Sequence, residues 1–251
     1  MTPWEGVAIF AAGVGAGGIN AVVGSGSLIT FPTLLALGYP PVLANVSNNI
    51  GLVPGAAAGT YGYRRELAGQ WNRVLRLGAA SLIGALVGGI LLLALPEGAF
   101  KVIVPVLIVV ALVLVVLQPK VGAWVQKRRK SHQADGGPAL WIGVLAAGVY
   151  GGYFGAAQGI LLISLLGIFL ADDMQTVNGI KNALAGIVNA TAAILFVLVA
   201  DVDWAVVALI AAGATIGGSL GARVGRRLPP WLLRTVIVCV GLTAIAKLLF
   251  G

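Results

Sequence analysis

Charge is scarce in this chain of 251 residues: 10% are Asp, Glu, Lys or Arg, against about a quarter in a soluble domain, while 59% are hydrophobic. With a mean hydropathy of +1.00, an ordinary soluble globule is excluded. No charge occurs over residues 6–63, 77–96, 102–119, 136–171, 182–200 or 204–222, runs that approach or exceed the roughly 20 apolar residues needed to span a bilayer. Cysteine is almost missing as well. Cys239 stands alone in an apolar stretch, which excludes a disulfide framework and a cysteine metal site. The one histidine, His132, lies in a basic stretch, and no Asp or Glu falls inside an apolar segment. That leaves no acid, base and nucleophile constellation and no carboxylate proton relay or cation site, so neither an enzyme nor a cofactor is expected. No basic residue precedes the first apolar run in Met1–Glu5, so the start does not read as a cleaved signal peptide.

What is present reads as an all-α polytopic membrane protein. Apolar runs bounded by Pro, Gly or charge give ten segments, near residues 6–24, 26–38, 42–62, 74–95, 99–117, 139–157, 159–171, 174–200, 204–222 and 231–250. The second and seventh, at about 20 Å of helix, fall short of a roughly 30 Å hydrocarbon core and are expected as half-helices or re-entrant arms. Trp4, Trp71, Trp124, Trp141, Trp204 and Trp231 all stand at segment ends, where amphipathic rings settle among headgroups.

A single offset of 133 residues pairs Gly26 with Gly159, Asn45 with Asn178, Asn49 with Asn182, Trp71 with Trp204, Gly84 with Gly217, Gly88 with Gly221 and Pro96 with Pro229. The chain is expected to be two repeats, residues 1–118 and 139–251, joined by a basic cytoplasmic loop over 119–138. Charge then orients them. After the third segment of the first half come Arg64, Arg65, Arg73 and Arg76, and the next loop has Glu97 and Lys101; in the second half Asp201 and Asp203 come first, then Arg223, Arg226, Arg227 and Arg234. With Lys127, Arg128, Arg129 and Lys130 also inside, every basic loop is cytoplasmic if each half crosses the membrane an odd number of times. The expectation is inverted repeats of about five segments each, with both termini periplasmic. The net charge of +8 therefore reports topology and a lipid surface, not a nucleic-acid partner.

Inverted repeats with broken helices are a layout of secondary transporters, whose sites lie near the midplane. The densest polar cluster is Asn45, Ser47, Asn48 and Asn49, matched by Asn178, Lys181 and Asn182, each early in the third segment of its half. Asn49 would lie about 12 Å along its helix. These amides either glue neighbouring helices or line a polar site. Lys181 either snorkels to the interface or pairs with Asp172 or Asp173, or it points inward beside Asn178 as a positive charge for an anion. Gly24-Ser25-Gly26-Ser27 and Ala157-Gln158-Gly159 open the two short segments. Half-helices starting there present unpaired N–H groups and positive dipole ends. The candidate substrate-binding residues are thus Ser25, Gly26, Asn45, Ser47, Asn48, Asn49, Gln158, Gly159, Asn178, Lys181 and Asn182, around a small anionic substrate. Gly84/Gly88 and Gly217/Gly221 are expected to serve close helix packing alone.

Gly15 to Gly18, Gly24-Ser25-Gly26, Pro32, Ala44-Asn45-Val46-Ser47-Asn48-Asn49 and Tyr63-Arg64-Arg65, with a degenerate second copy over Gly148 to Gly159, resemble the TauE/SafE sulfite exporter permeases along essentially the whole chain. The resemblance implies a carrier moving sulfite, sulfonates or other small sulfur-containing or carboxylate anions out across the bacterial inner membrane. A passive anion channel and a non-transporting membrane scaffold stay open beside it, as do the coupling ion, proton or sodium, and a homodimer.

Overall fold

The computed structural model describes residues 1–128 and 136–224, together with 235, 238, 239 and 242. Apart from those four residues, the tenth expected segment, 231–250, lies outside that set, as do residues 129–135 of the expected loop. Among the described residues the chain is all helical: α1 (Pro3–Val22), α2 (Ser27–Ala36), α3 (Pro41–Gly62), α4 (Trp71–Ala94), α5 (Glu97–Arg128), α6 (Gly137–Tyr153), α7 (Gln158–Phe169), α8 (Met174–Val199) and α9 (Trp204–Val224). Four of them, α1, α4, α8 and α9, are long and apolar enough to cross a membrane.

Local chemistry sets the ends. Thr2 caps α1 in a capping box with Glu5, Pro40 and Pro41 stiffen the entry to α3, and Asp173 caps α8 by accepting from the N–H groups of Gln175 at 2.8 Å and Thr176 at 3.2 Å. One expected boundary is corrected. Residues 119–128, read from their charges as part of a loop, continue α5 to Arg128. Pro119 removes one backbone donor and Gly122 weakens the helix by about 1 kcal/mol, while most of the rest of Lys120–Arg128 are adequate helix formers.

Packing sorts the long helices into two bundles. In the first, α1 and α3 both lie along α9. Gly213 sits against Phe10 and Gly13, and Gly221 against Gly18; Gly51 faces Val207 and Ile210, while Gly62 reaches Ala222. Residue numbers rise together in each pair, so the three helices are parallel. The second bundle repeats this with α6 and α8 along α4: Gly84 meets Leu145 and Gly148, Gly88 meets Val149 and Tyr153, and Gly78 and Gly89 meet Ile187 and Leu195. Small residues let these backbones touch, as dispersion-driven packing in lipid demands. Between the bundles α8 packs on α3 the other way round, with Gly179 near Tyr63 and Leu67, and Gly186 near Ala56. The two bundles are antiparallel.

That direction settles what the short helices do. Because α1 and α3 run the same way, α2 must carry the chain back, and α7 does so between α6 and α8. At ten and twelve residues they reach about 15 and 18 Å, short of the roughly 30 Å of a hydrocarbon core. Charge segregates accordingly. Arg64, Arg65, Arg73, Arg76 and Arg223 gather where α3 and α9 end and α4 begins, while Glu5, Asp201 and Asp203 lie where α1 and α9 begin. An ion pair of 2.6 Å between Arg73 and Asp172 ties the α3–α4 loop to the entry of α8 at the arginine-rich end.

Candidate functional site

The site grows from the two places where the chain turns back. After α1 the backbone takes a left-handed step at Gly24 (φ +81°), and after α6 at Gly155 (φ +78°) and at Ala157 (φ +60°), a non-glycine residue in that region. Asn20 pins the first turn by accepting from the Gly26 N–H at 2.7 Å. The Tyr150 hydroxyl pins the second by donating to the Ala156 carbonyl. The turns meet in the middle of the molecule. The Gly159 N–H donates to the Gly24 carbonyl at 3.0 Å, and these backbones approach so closely that a Cβ on Gly159 would lie 2.8 Å from the Gly24 oxygen. The N-termini of α2 and α7 therefore abut, each bringing the positive end of its dipole.

The last carbonyls of α1 need donors in the same place. Lys181 supplies them: its Nζ donates to Asn20 O at 2.8 Å and Ala21 O at 3.2 Å, and Asn182 Nδ2 donates to Ala21 O at 3.1 Å. The lysine is 0% exposed, so it does not snorkel. It does not pair with the aspartates either, for Asp172 holds Arg73 and Asp173 is spent on its cap. A cation taken out of water costs several kcal/mol unless something compensates it, and among the described residues its partners are carbonyl dipoles.

Four candidate residues, Gln158, Gly159, Lys181 and Asn182, line one cavity of about 30 Å³, which Asn20, Ser27 and Asn189 also line. Ser25 and Gly26 lie in the turn at its edge. The first cluster is used differently. Asn45 Nδ2 donates to Tyr153 O at 3.0 Å at the end of α6, Ser47 Oγ accepts from the Asp203 N–H at 3.1 Å, and Asn48 Oδ1 accepts from the Thr30 hydroxyl. These three hold helices together. Ser25 Oγ, Asn49 Oδ1, Gln158 Nε2 and Asn178 Oδ1 are buried without a protein partner, an arrangement kept only where water or a ligand completes it. Asn20 and Asn189 escaped the sequence reading, whereas Ser27 stood in its Gly24-Ser25-Gly26-Ser27 turn without being named as a binding residue. Asn189 had a signal, lying seven residues past Asn182 on the same helix face, and Asn20 is a lone amide two residues before the helix end.

Chemically, a buried ammonium, an orphan amide donor and two helix N-termini converge on one small space with no carboxylate among its lining residues. The space suits an anion. At about 30 Å³ it takes one or two waters, so a sulfur oxyanion enters only if the walls move apart.

The sequence profile of the family described as Sulfite exporter TauE/SafE matches residues 9–248. The chain is 30% identical over 244 residues to the protein named "Probable membrane transporter protein YfcA" of Escherichia coli (strain K12), covering 94% of this chain and 86% of that one. It is 26% identical to a "Probable membrane transporter protein" of Haemophilus influenzae, over 96% and 93% of the two chains. A Sinorhizobium relative, "Probable membrane transporter protein ORF9", shares 25% identity over 96% and 91%. No solved structure matches the chain significantly.

Proposed function

The chain belongs to the sulfite exporter TauE/SafE family and is a membrane transporter rather than an enzyme; from that premise we propose that it is a secondary carrier exporting small sulfur-containing or organic anions, such as sulfite or sulfonates, across a bacterial inner membrane. The observation that carries the proposal is Lys181, buried without a carboxylate beside the junction of two half-helix N-termini. That combination makes a fixed positive potential inside the membrane, which is costly unless it serves an anion.

In this reading the substrate oxygens take the donors of Gln158, Lys181 and Asn182 beside the positive helix ends at Ser25, Gly26 and Gly159; the orphan carbonyls of Asn49 and Asn178 can only accept and lie outside the cavity lining. Asn45, Ser47 and Asn48 act one step back, fixing the helix ends. The inverted-repeat reading has the support of the parallel bundles, since α1 on α9 and α6 on α4 are equivalent under the 133-residue offset. Alternating access would then move the two bundles against each other at α3 and α8. The arginine-rich end is assigned to the cytoplasm by the positive-inside rule, which puts the N-terminus in the periplasm.

Binding of sulfite, thiosulfate, sulfoacetate, taurine and simple carboxylates to purified protein tests the substrate class, and saturable counterflow in proteoliposomes separates a carrier from a channel. Absence of binding by the whole panel would overturn the proposal.

A further inference from the structure

A second cavity, about 370 Å³ in volume, opens at the arginine-rich end between the last turn of α3, the loop after it and the last turn of α9. Its lining includes Tyr61, Arg64, Arg65, Ser219 and Arg223, with Glu66 as the one carboxylate. Three guanidinium groups against one carboxylate leave an excess of positive charge. Arg64 is held in place, its guanidinium 4.4 Å from the centre of the Tyr61 ring and donating to the Tyr61 carbonyl at 3.2 Å. Arg65 and Arg223 are exposed, with their planar forks available to an oxyanion.

The position matters as much as the charge. Gly55 and Ala56 of α3 line the small central cavity, and Ala58, Tyr61 and Gly62 of the same helix line the large one. Six residues from Ala56 to Gly62 amount to about 9 Å of helix. The intervening wall is thin in side chains: Gly59 faces Asn182, and Gly62 packs on Ala222. The large cavity thus lies along α3 from the small one, separated by glycine and alanine where α3 meets α8 and α9.

We propose that the arginine antechamber is a second, weaker binding site for a small sulfur oxyanion of the sulfite or sulfonate class, where the anion loads before passing Asn182 into the central cavity. The proposal rests on the transport reading for its direction of travel. Its chemistry rests on the arginines alone, which would equally hold the phosphate of an anionic lipid headgroup, so the test separates the two sources.

The test is equilibrium binding of radiolabelled sulfite, under anaerobic conditions and at low ionic strength, to full-length protein in detergent. Wild type should bind two anions, the weaker one at least tenfold more weakly again once salt exceeds a few hundred millimolar, because exposed charges are screened within about 3 Å at 1 M. The double variant Arg64→Gln/Arg223→Gln should keep only the tighter site, and Arg64→Lys/Arg223→Lys should fall between. Lys181→Gln, or Gln158→Leu if the lysine variant fails to fold, should keep only the weaker. A single site lost in the central variants and untouched in the arginine variant refutes the antechamber while the transport reading stands. One site lost in the arginine variant alone supports the antechamber and refutes the central site. Abolition of the weaker site by added phosphatidylglycerol makes a lipid headgroup its occupant and overturns the loading assignment.

Discussion

Adding one methyl group where α2 and α7 meet should loosen the whole core of the molecule. In Gly159→Ala the new Cβ would lie 2.8 Å from the Gly24 carbonyl oxygen and 3.0 Å from its carbon. The Gly24 Cα lies closer still, and non-bonded carbon contacts are comfortable near 3.5–4.0 Å, so the two turns must separate by more than about 1 Å. No rotamer change relieves this, because the obstructing atoms are backbone. The 3.0 Å bond from the Gly159 N–H to the Gly24 carbonyl would stretch beyond hydrogen-bond range. Overpacking of this kind costs about 1–3 kcal/mol and the lost bond about 1 more, a total near 2–4 kcal/mol. For a chain of this size that is a drop of roughly 5–15 °C in melting temperature. Gly186→Ala is the control, since its Cβ would meet only ordinary contacts at 3.7 and 3.9 Å. Intrinsic-fluorescence melting of the detergent-purified proteins reads both. If Gly159→Ala melts within 2 °C of Gly186→Ala, the turns do not meet backbone to backbone and the two helix N-termini do not share one site.

Three further outcomes follow from the same geometry. Lys181→Gln should abolish the melting shift produced by titrated anion and Lys181→Arg should retain a fraction of it, by mass action on the ligand-binding state; equal shifts in both variants and wild type would remove Lys181 from the site. Asn182→Ala should weaken anion binding by about 1–3 kcal/mol, whereas Asn45→Ala, which releases only the Tyr153 carbonyl, should lower melting temperature with affinity unchanged; the reverse pattern sinks the division of labour between the clusters. The Thr176 hydroxyl, donating to Asp173 at 2.6 Å, leads the causes that hold its carboxyl below the usual value of 3.8, so the stabilisation is complete above that pH and is lost as pH falls through the lower folded value. Asp173→Ala should therefore cost about 1 kcal/mol at pH 7, measured by thermal melting, with the difference from wild type closing below pH 4.

Much of the fold was legible because lipid imposes simple rules. Charge-free runs and terminal tryptophans such as Trp71 and Trp204 located the long helices within a few residues. Gly24 marked the first turn because few residues other than glycine adopt a positive φ, and the second was placed only to within the Ala157-Gln158-Gly159 stretch. The extension of α5 past Leu117 was hidden, since charge is a poor guide to where a helix stops once it leaves the hydrocarbon. The site was half legible. Position 48 holds Asn and its repeat-equivalent position 181 holds Lys, but only packing decides that the first accepts from Thr30 in a helix contact while the second caps α1 beside the cavity. Asn45 could not be assigned for a related reason: its partner, the Tyr153 carbonyl, is 108 residues away, and no local pattern records such a pairing.

The way α9 seats itself between α1 and α3 also bears on how the protein is made. The glycine seam of α1 is completed only when α9 leaves the ribosome, about two hundred residues later; at roughly 5–20 residues per second that is some 10–40 s of synthesis. Through that interval α1 waits in the bilayer with its small-residue face against lipid tails. It can wait safely because its backbone is already satisfied within the helix and a glycine stripe is apolar. The Gly24 turn has no such protection, since the Gly159 N–H that serves its carbonyl arrives only with α7. The first half therefore enters the membrane as an unfinished insert whose weakest point is the Gly24 turn, which α7 completes before α9 closes the seam of α1.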